Sequence, residues 1–491
     1  MRGRAARWFG MLLAATVAVA PGGAVAQDAP RIEGRSQHRL TTGDGQRIDY
    51  TAEAGVVPVA SKPGTYDATA GYIAYVRDGG SATRPVLFVF NGGPGAASAY
   101  LQMGALGPMR ARVPQDPAAP LPTEASVAAN PATLVDIVDL VFLDPPGTGL
   151  STIAPDADRS FYQSVAGDAD AVAQVARRWL GAHDRTAAPL FILGESYGTI
   201  RAAAMVDALR TQDPQLAVRG VLLFGQALNM IETSQRPDNV VTYPVSLPTL
   251  AALACYHRKR AAPCDPDASA GEAAAFGPIY LDALYRGRSL GAAERTRIAI
   301  RLEALTGIPR AFYLANGLRI SKERFRVELL RNEGRVLGRY DARYTAPRAA
   351  DAGPTVGPDA FSAVSDLYGK AVIGQLARIG VTDPARYRVI AAPSGEWAYG
   401  AGDSPFNDWP FMARLERAMA ADPRLRLFVG TGLYDLTTTV GAADYLFAQS
   451  DLARDRFVNH RYPAGHVAYS DDDSWRKFVA DIRQFVSESV R

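Results

Sequence analysis

Cysteine is nearly absent. The 491 residues carry two, Cys255 and Cys264, too few for a disulfide-built scaffold. Without companion ligands at finger spacing they also make a poor zinc site. Flanking His257-Arg258-Lys259-Arg260 in an exported chain, the pair reads as a local disulfide. Histidine is scarce as well, with five residues, so a catalytic base has few candidates. Lysine supplies only five of the 53 basic residues, a bias that reflects genome composition more than a recognition surface. The formal charge of +3 falls to 0 without Arg2, Arg4 and Arg7, so nothing argues for a nucleic-acid partner. After Met11–Ala20 no apolar run approaches the length needed to cross a bilayer. Phosphate and dinucleotide loops are missing too. Asn91-Gly92-Gly93-Pro94-Gly95 is followed by no Gly-Lys-Ser/Thr, and Gly430-Thr431-Gly432 lacks a third glycine and the following acid.

What is present begins with an export signal. Three arginines precede the run Met11–Ala20, and Ala24-Val25-Ala26 forms a small-x-small cleavage site before Gln27. Residues 1–26 therefore read as a secretory signal peptide, which puts the mature chain in the periplasm or outside the cell as a soluble protein. Apolar content of 48% and charged content of 21% are those of an ordinary globular chain.

Residues 36–77 alternate polar and apolar between glycine-rich breaks, the pattern of antiparallel strands at a sheet edge. Continuous apolar runs follow at Val86–Phe90, Val138–Leu143, Leu190–Leu193 and Val221–Phe224. Strands buried on both faces of a parallel sheet read this way. Phe161, Val165, Val172, Val175, Ala176 and Trp179 lie on one helical face between the second and third runs. The alternation predicts an α/β fold, with a mostly parallel central sheet flanked by helices. The core would comprise residues 27–229 and 401–491, with a mainly helical cap inserted over 230–400. Asp435 and His466 each follow a run in the second part, and an amphipathic helix carrying Trp475, Phe478, Val479, Ile482, Phe485 and Val486 closes the chain.

Gly194-Glu195-Ser196-Tyr197-Gly198 follows the run Leu190–Leu193 and precedes a helix-like stretch. Strand, Gly-x-Ser-x-Gly and helix together make the context of a nucleophile elbow, although the pentapeptide alone is common. A serine hydroxyl needs a base, and the base needs a carboxylate to orient it. In hydrolases of this architecture the order is serine, acid, histidine, with the last two on loops after late strands. Ser196, Asp435 and His466 satisfy it. His38 precedes the sheet, His183 ends a helix, His257 lies between the cysteines and His460 is inside a strand pattern, which leaves His466 as the candidate base. Oxyanion donors are expected from the amide of Tyr197 and from the glycine-rich loop Asn91–Gly95.

Taken together, Asn91–Gly95, Asp144-Pro145-Pro146-Gly147-Thr148-Gly149-Leu150-Ser151, Gly194–Gly198, Gly432–Asp435 and Ala464-Gly465-His466 resemble the serine carboxypeptidase family, in family order from about residue 85 to 470. The resemblance implies an α/β-hydrolase fold with a cap, and release of C-terminal residues from peptides that have a free C-terminus. It implies Ser196 as nucleophile, His466 as base, Asp435 as its orienter, Gly93 and Tyr197 as oxyanion donors, and Asn91 with Glu195 as holders of the terminal carboxylate. No cofactor or metal is implied.

The chain departs from the family pattern at Ala105, where a second glutamate is usual, and at Ala96, Pro145 and Val467. Gln102, one turn before Ala105, is the nearest replacement. Other readings on the same fold are an esterase, an acyltransferase or a proline-releasing aminopeptidase. The last usually carries histidine at the position of Asn91 and lacks Glu195. A secreted binding protein that has lost its chemistry would normally lack a triad member.

Overall fold

The computed structural model describes residues 29–236, 238–349, 359–400 and 411–490; the expected signal segment lies outside the described residues. Its strands are β1 (Arg31–Thr41), β2 (Arg47–Lys62), β3 (Thr65–Arg77), β4 (Val86–Phe90), β5 (Met109–Arg112), β6 (Ser126–Ala129), β7 (Asp139–Asp144), β8 (Leu190–Glu195), β9 (Val218–Phe224), β10 (Arg335–Leu337), β11 (Thr345–Pro347), β12 (Arg426–Gly432) and β13 (Phe457–Tyr462). Nine of them form one sheet in the order β1-β2-β3-β7-β4-β8-β9-β12-β13. The first four strands in that order pair antiparallel, and from β7 onward every pairing is parallel. This is the α/β-hydrolase arrangement expected from the sequence.

The apolar runs become the central strands because both of their faces are covered. Every residue of β4, β7 and β8 is buried. On one face the sheet packs against the C-terminal helix Asp472–Ser489 and the helix Ser362–Ile379. On the other it packs against the helices Val165–Ala182, Tyr197–Gln212 and Phe411–Ala421. Two of these helices begin on side-chain caps: Ser164 accepts from the Gly167 amide, and Asp471 accepts from that of Ser474. His38, expected ahead of the sheet, lies on β1 opposite Tyr50. That edge strand is largely exposed and bulged near Ile32, so its sequence carries too weak an apolar alternation to reveal it.

A third apolar cluster joins the helices Thr242–Tyr256, Pro266–Arg286 and Ala292–Thr306 to Leu433, Tyr434, Leu436 and Val440. These helices therefore pack on the loop after β12. Cys255 and Cys264 are joined by a disulfide between the first two of them. Among the described residues no helix is long and apolar enough to cross a membrane.

Replacing both cysteines with serine should cost about 2–3 kcal/mol, the loop-entropy value for so short a ring. Denaturant titration would measure the loss, and hydrogen exchange should rise first in Thr242–Tyr256 and Pro266–Arg286.

Candidate active site

Parallel strands bring their C-terminal ends to one rim, which is where open α/β sheets carry their chemistry. Ser196 follows β8, Gly225 follows β9, Asp435 follows β12 and His466 follows β13. Ser196 is held at φ 59° and ψ −129°, a backbone conformation that non-glycine residues rarely adopt. Its amide donates to the Phe224 carbonyl at 2.8 Å, and the Thr199 hydroxyl donates to its carbonyl at 2.7 Å. The flanking glycines are required sterically. A Cβ on Gly194 would stand 2.1 Å from the Gly198 carbonyl oxygen, and one on Gly198 would stand 2.8 Å from that of Asn91.

The acid and the imidazole meet directly. His466 Nδ1 lies 2.6 Å from Asp435 Oδ2, which leaves Nε2 as the ring nitrogen able to accept a proton. Asp435 is fully buried. It also accepts from the Thr437 amide at 2.6 Å, the Thr438 amide at 3.0 Å and the Thr438 hydroxyl at 2.6 Å. The His466 amide donates to Tyr340 at 2.6 Å, and the Tyr340 ring lies over the imidazole at 5.5 Å. Burial pulls the His466 pKa down, but the Asp435 carboxylate more than offsets this, and the net direction is upward.

The imidazole lies over Gly225, where a Cβ would come within 2.9 Å of Cε1. Gly225 adjoins the carbonyl that takes the Ser196 amide, so ring and serine flank the same two residues. Among the described residues no hydrogen bond joins Ser196 to His466. Contacts of this kind commonly tighten only when substrate is bound.

The loop Asn91–Gly95 lies against the elbow. A Cβ on Gly92 would be 2.6 Å from the Tyr197 nitrogen, and Gly93 adopts φ +104°, which favours glycine. The loop after Asn91 and the turn after Ser196 are thus in direct contact. The segment Tyr387–Tyr399 covers the loop from outside. The Ala391 amide donates to the Gly95 carbonyl at 2.8 Å, and that of Ala97 donates to Val389 at 2.9 Å. Asp144, from the second matching motif, accepts from the Ser98 amide and hydroxyl at 2.8 Å each and from the Tyr387 hydroxyl at 3.1 Å.

Glu195 is buried beside the elbow. Asn91 Nδ2 donates to its Oε1 at 2.7 Å, and the Tyr469 hydroxyl donates to its Oε2 at 2.7 Å. Burial raises its pKa to about 7, against the opposing pull of His466, Tyr469 and Asn91. Gln102 does not join this group. It lies in a π-helical turn, Gln102–Leu106, and its amide nitrogen donates to the Tyr75 hydroxyl in the core at 2.8 Å.

Sequence reasoning missed Tyr469 and also the buried pair beneath the elbow. Arg201 Nε donates to Asp168 at 2.7 Å, Arg201 Nη1 to the Asn91 carbonyl at 2.6 Å, and the Tyr197 hydroxyl to Asp168 at 3.0 Å. Arg201 and Asp168 were simply helix residues in a one-dimensional pattern. Only their spacing from the elbow could have hinted at them.

The sheet, its helices and the elbow at its rim define an enzyme of the α/β-hydrolase class, acting on ester or peptide bonds. The family model for serine carboxypeptidases matches residues 52–236 of the chain. Among solved structures the chain is similar to a proline iminopeptidase from Mycobacterium smegmatis, at 13% identity over 92% of this chain and 98% of that one, with a TM-score of 0.36. An enantioselective mutant epoxide hydrolase from Aspergillus niger matches at 13% identity over 89% and 78% of the two chains, with a TM-score of 0.37. A juvenile hormone epoxide hydrolase from Bombyx mori matches at 10% identity over 89% and 76%, with a TM-score of 0.32.

Changing Arg201 to Met would leave Asp168, 1% exposed, without its partner. The expected loss is about 3–5 kcal/mol, the range for breaking a buried pair by removing one member. Adding Asp168→Asn should recover part of it. Denaturant midpoints of the single and double variants test this.

Proposed function

We propose that the protein is an exported serine acyl hydrolase whose preferred substrate is a peptide with a free C-terminus, from which it releases the terminal residue. His466 Nε2 takes the proton of Ser196 Oγ as the oxygen attacks the scissile carbonyl. Asp435 holds the imidazole by Nδ1 and stabilises its cationic form. The amides of Gly93 and Tyr197 stabilise the oxyanion. His466 then returns the proton to the leaving amine, and water repeats the sequence on the acyl-enzyme.

The observation that carries the reading is the buried Asn91–Glu195–Tyr469 unit next to His466. A carboxyl with a pKa of about 7 is neutral in mildly acidic solution and can then donate to a substrate carboxylate. Ionised, it repels the same group. The export signal over residues 1–26 supports a periplasmic or extracellular site of action.

A second reading, an esterase or another acyl-transfer enzyme, is favoured by Ala105 and by the engagement of Gln102 with Tyr75. Both leave the carboxylate end with one acidic side chain rather than two.

Ser196→Ala should lower kcat by at least about 10³-fold. A mixed peptide library read by mass spectrometry, with wild type beside this variant, would report whether residues leave from the C-terminus. For free-carboxylate peptides kcat/KM should fall as pH rises through about 7. Blocked esters and amides should not follow that fall. Identical profiles for both substrate types would favour the second reading.

A further inference from the structure

Glu195 is held by donors from two distant segments, and the one from the short turn Ala468–Ser470 is built into place by its surroundings. The Tyr469 ring fills the space over Gly104, where a Cβ would lie 2.5 Å from its Cδ2 and Cε2. Arg110 fastens the two segments together. Its Nε donates to the Gly104 carbonyl at 2.9 Å, its Nη2 to that of Tyr469 at 2.8 Å, and its Nη1 to Asp472 at 2.7 Å. The guanidinium stacks 3.9 Å from the centre of the Trp475 ring, and Trp475 Nε1 donates to the Ala105 carbonyl at 3.1 Å. Tyr368 stands edge-on to Tyr469 at 6.1 Å, with its hydroxyl buried and without a hydrogen-bond partner among the described residues.

Resting on the carboxypeptidase reading, we propose that Tyr469 is the positioning residue for the substrate's terminal carboxylate. Its hydroxyl fixes Glu195 so that one carboxyl, braced by a phenol, receives that end of the peptide. Ala105 contributes no acid here. Burial and the neighbouring Glu195 push the Tyr469 pKa well up, so the phenol stays a neutral donor. The other groups that bear on Glu195 are His466 and Asp435 as charges, and Tyr100 and Tyr368, whose own pKa values burial raises.

The sign of the effect follows from the bond. A hydroxyl donating to Glu195 favours its ionised form, so removing the hydroxyl leaves the carboxyl neutral to higher pH while loosening its orientation.

Tyr469→Phe keeps the ring against Gly104 and removes only the donor. The loss in kcat/KM on a free-carboxylate peptide should exceed the loss on a blocked ester by about tenfold, the worth of a hydrogen bond to a charged group, and should lie in KM. The alkaline fall for peptides should move to higher pH. Equal losses on both substrates, or an unmoved alkaline fall, would overturn the proposal. An infrared titration of the protonated carboxyl band in Ser196→Ala, assigned with Glu195→Gln, reads the same group without turnover. Adding Tyr469→Phe should carry that band to higher pH, and an unmoved band overturns the proposal. A wild type that shows no preference for peptides over esters would instead defeat the carboxypeptidase reading, and the infrared result would still decide the role of Tyr469.

Discussion

The buried pair Asp168–Arg201 is what the rest of the site leans on. The two halves of the expected oxyanion site come from the loop after β4 and the turn after β8, whose residues Asn91 and Arg201 lie 110 positions apart in sequence. One guanidinium reaches both. It holds the Asn91 carbonyl directly and, through Asp168, the hydroxyl of Tyr197. Arginine suits the task because its donors form a rigid planar fork. A buried ion pair is a weak source of net stability, since desolvating both charges costs about what their attraction returns. Among the described residues Arg201 Nη2 even lacks a partner. The pair is better understood as fixing the register of the Asn91 loop against the elbow.

A second support comes from the other side of the rim. The amide of His466 is held by Tyr340, that of Gly465 by Asp341 at 3.2 Å, and the carbonyl of Thr437 by Lys322 Nζ at 2.9 Å. All three holders lie between β9 and β12, in the stretch whose helices pack on the loop carrying Asp435. The serine is therefore fixed by the sheet, and the acid and imidazole by sheet and inserted helices together. Displacing that insertion would disturb His466 before it disturbed Ser196.

The sequence disclosed what depends on neighbours along the chain. Val86–Phe90 and Leu190–Leu193 were legible as central strands because burial on both faces leaves an unbroken apolar run. The elbow was legible because its glycines answer to backbone atoms a few residues away, as Gly194 does to Gly198. Asp435 and His466 could be picked out by chain order and by the scarcity of histidine. Long-range contacts left no such trace. Tyr469 reaches Glu195 across 274 positions, and no local pattern marks a tyrosine as a hydrogen-bond donor rather than as core. Gln102 looked available because an ordinary helical turn was assumed; the π-helical turn directs its amide to Tyr75 instead. Asp144 belonged to a recognisable motif, yet its work of tying Ser98 to Tyr387 beside the loop Asn91–Gly95 is visible only in three dimensions.

Glu195 and His466 are coupled, each favouring the charged form of the other. On the proposed reading this coupling conserves the charge beside His466 through substrate binding. A terminal carboxylate arriving beside Glu195 adds a second negative charge there and favours the neutral acid. Once Glu195 is neutral, the substrate's own carboxylate takes its place as the second negative charge near the imidazole, so the field that stabilises the His466 cation is kept. A substrate without the carboxylate brings no such charge and gains nothing from a neutral Glu195. The distinction between peptide and ester then lies in the strength of binding, and it needs only the single acid that this chain retains.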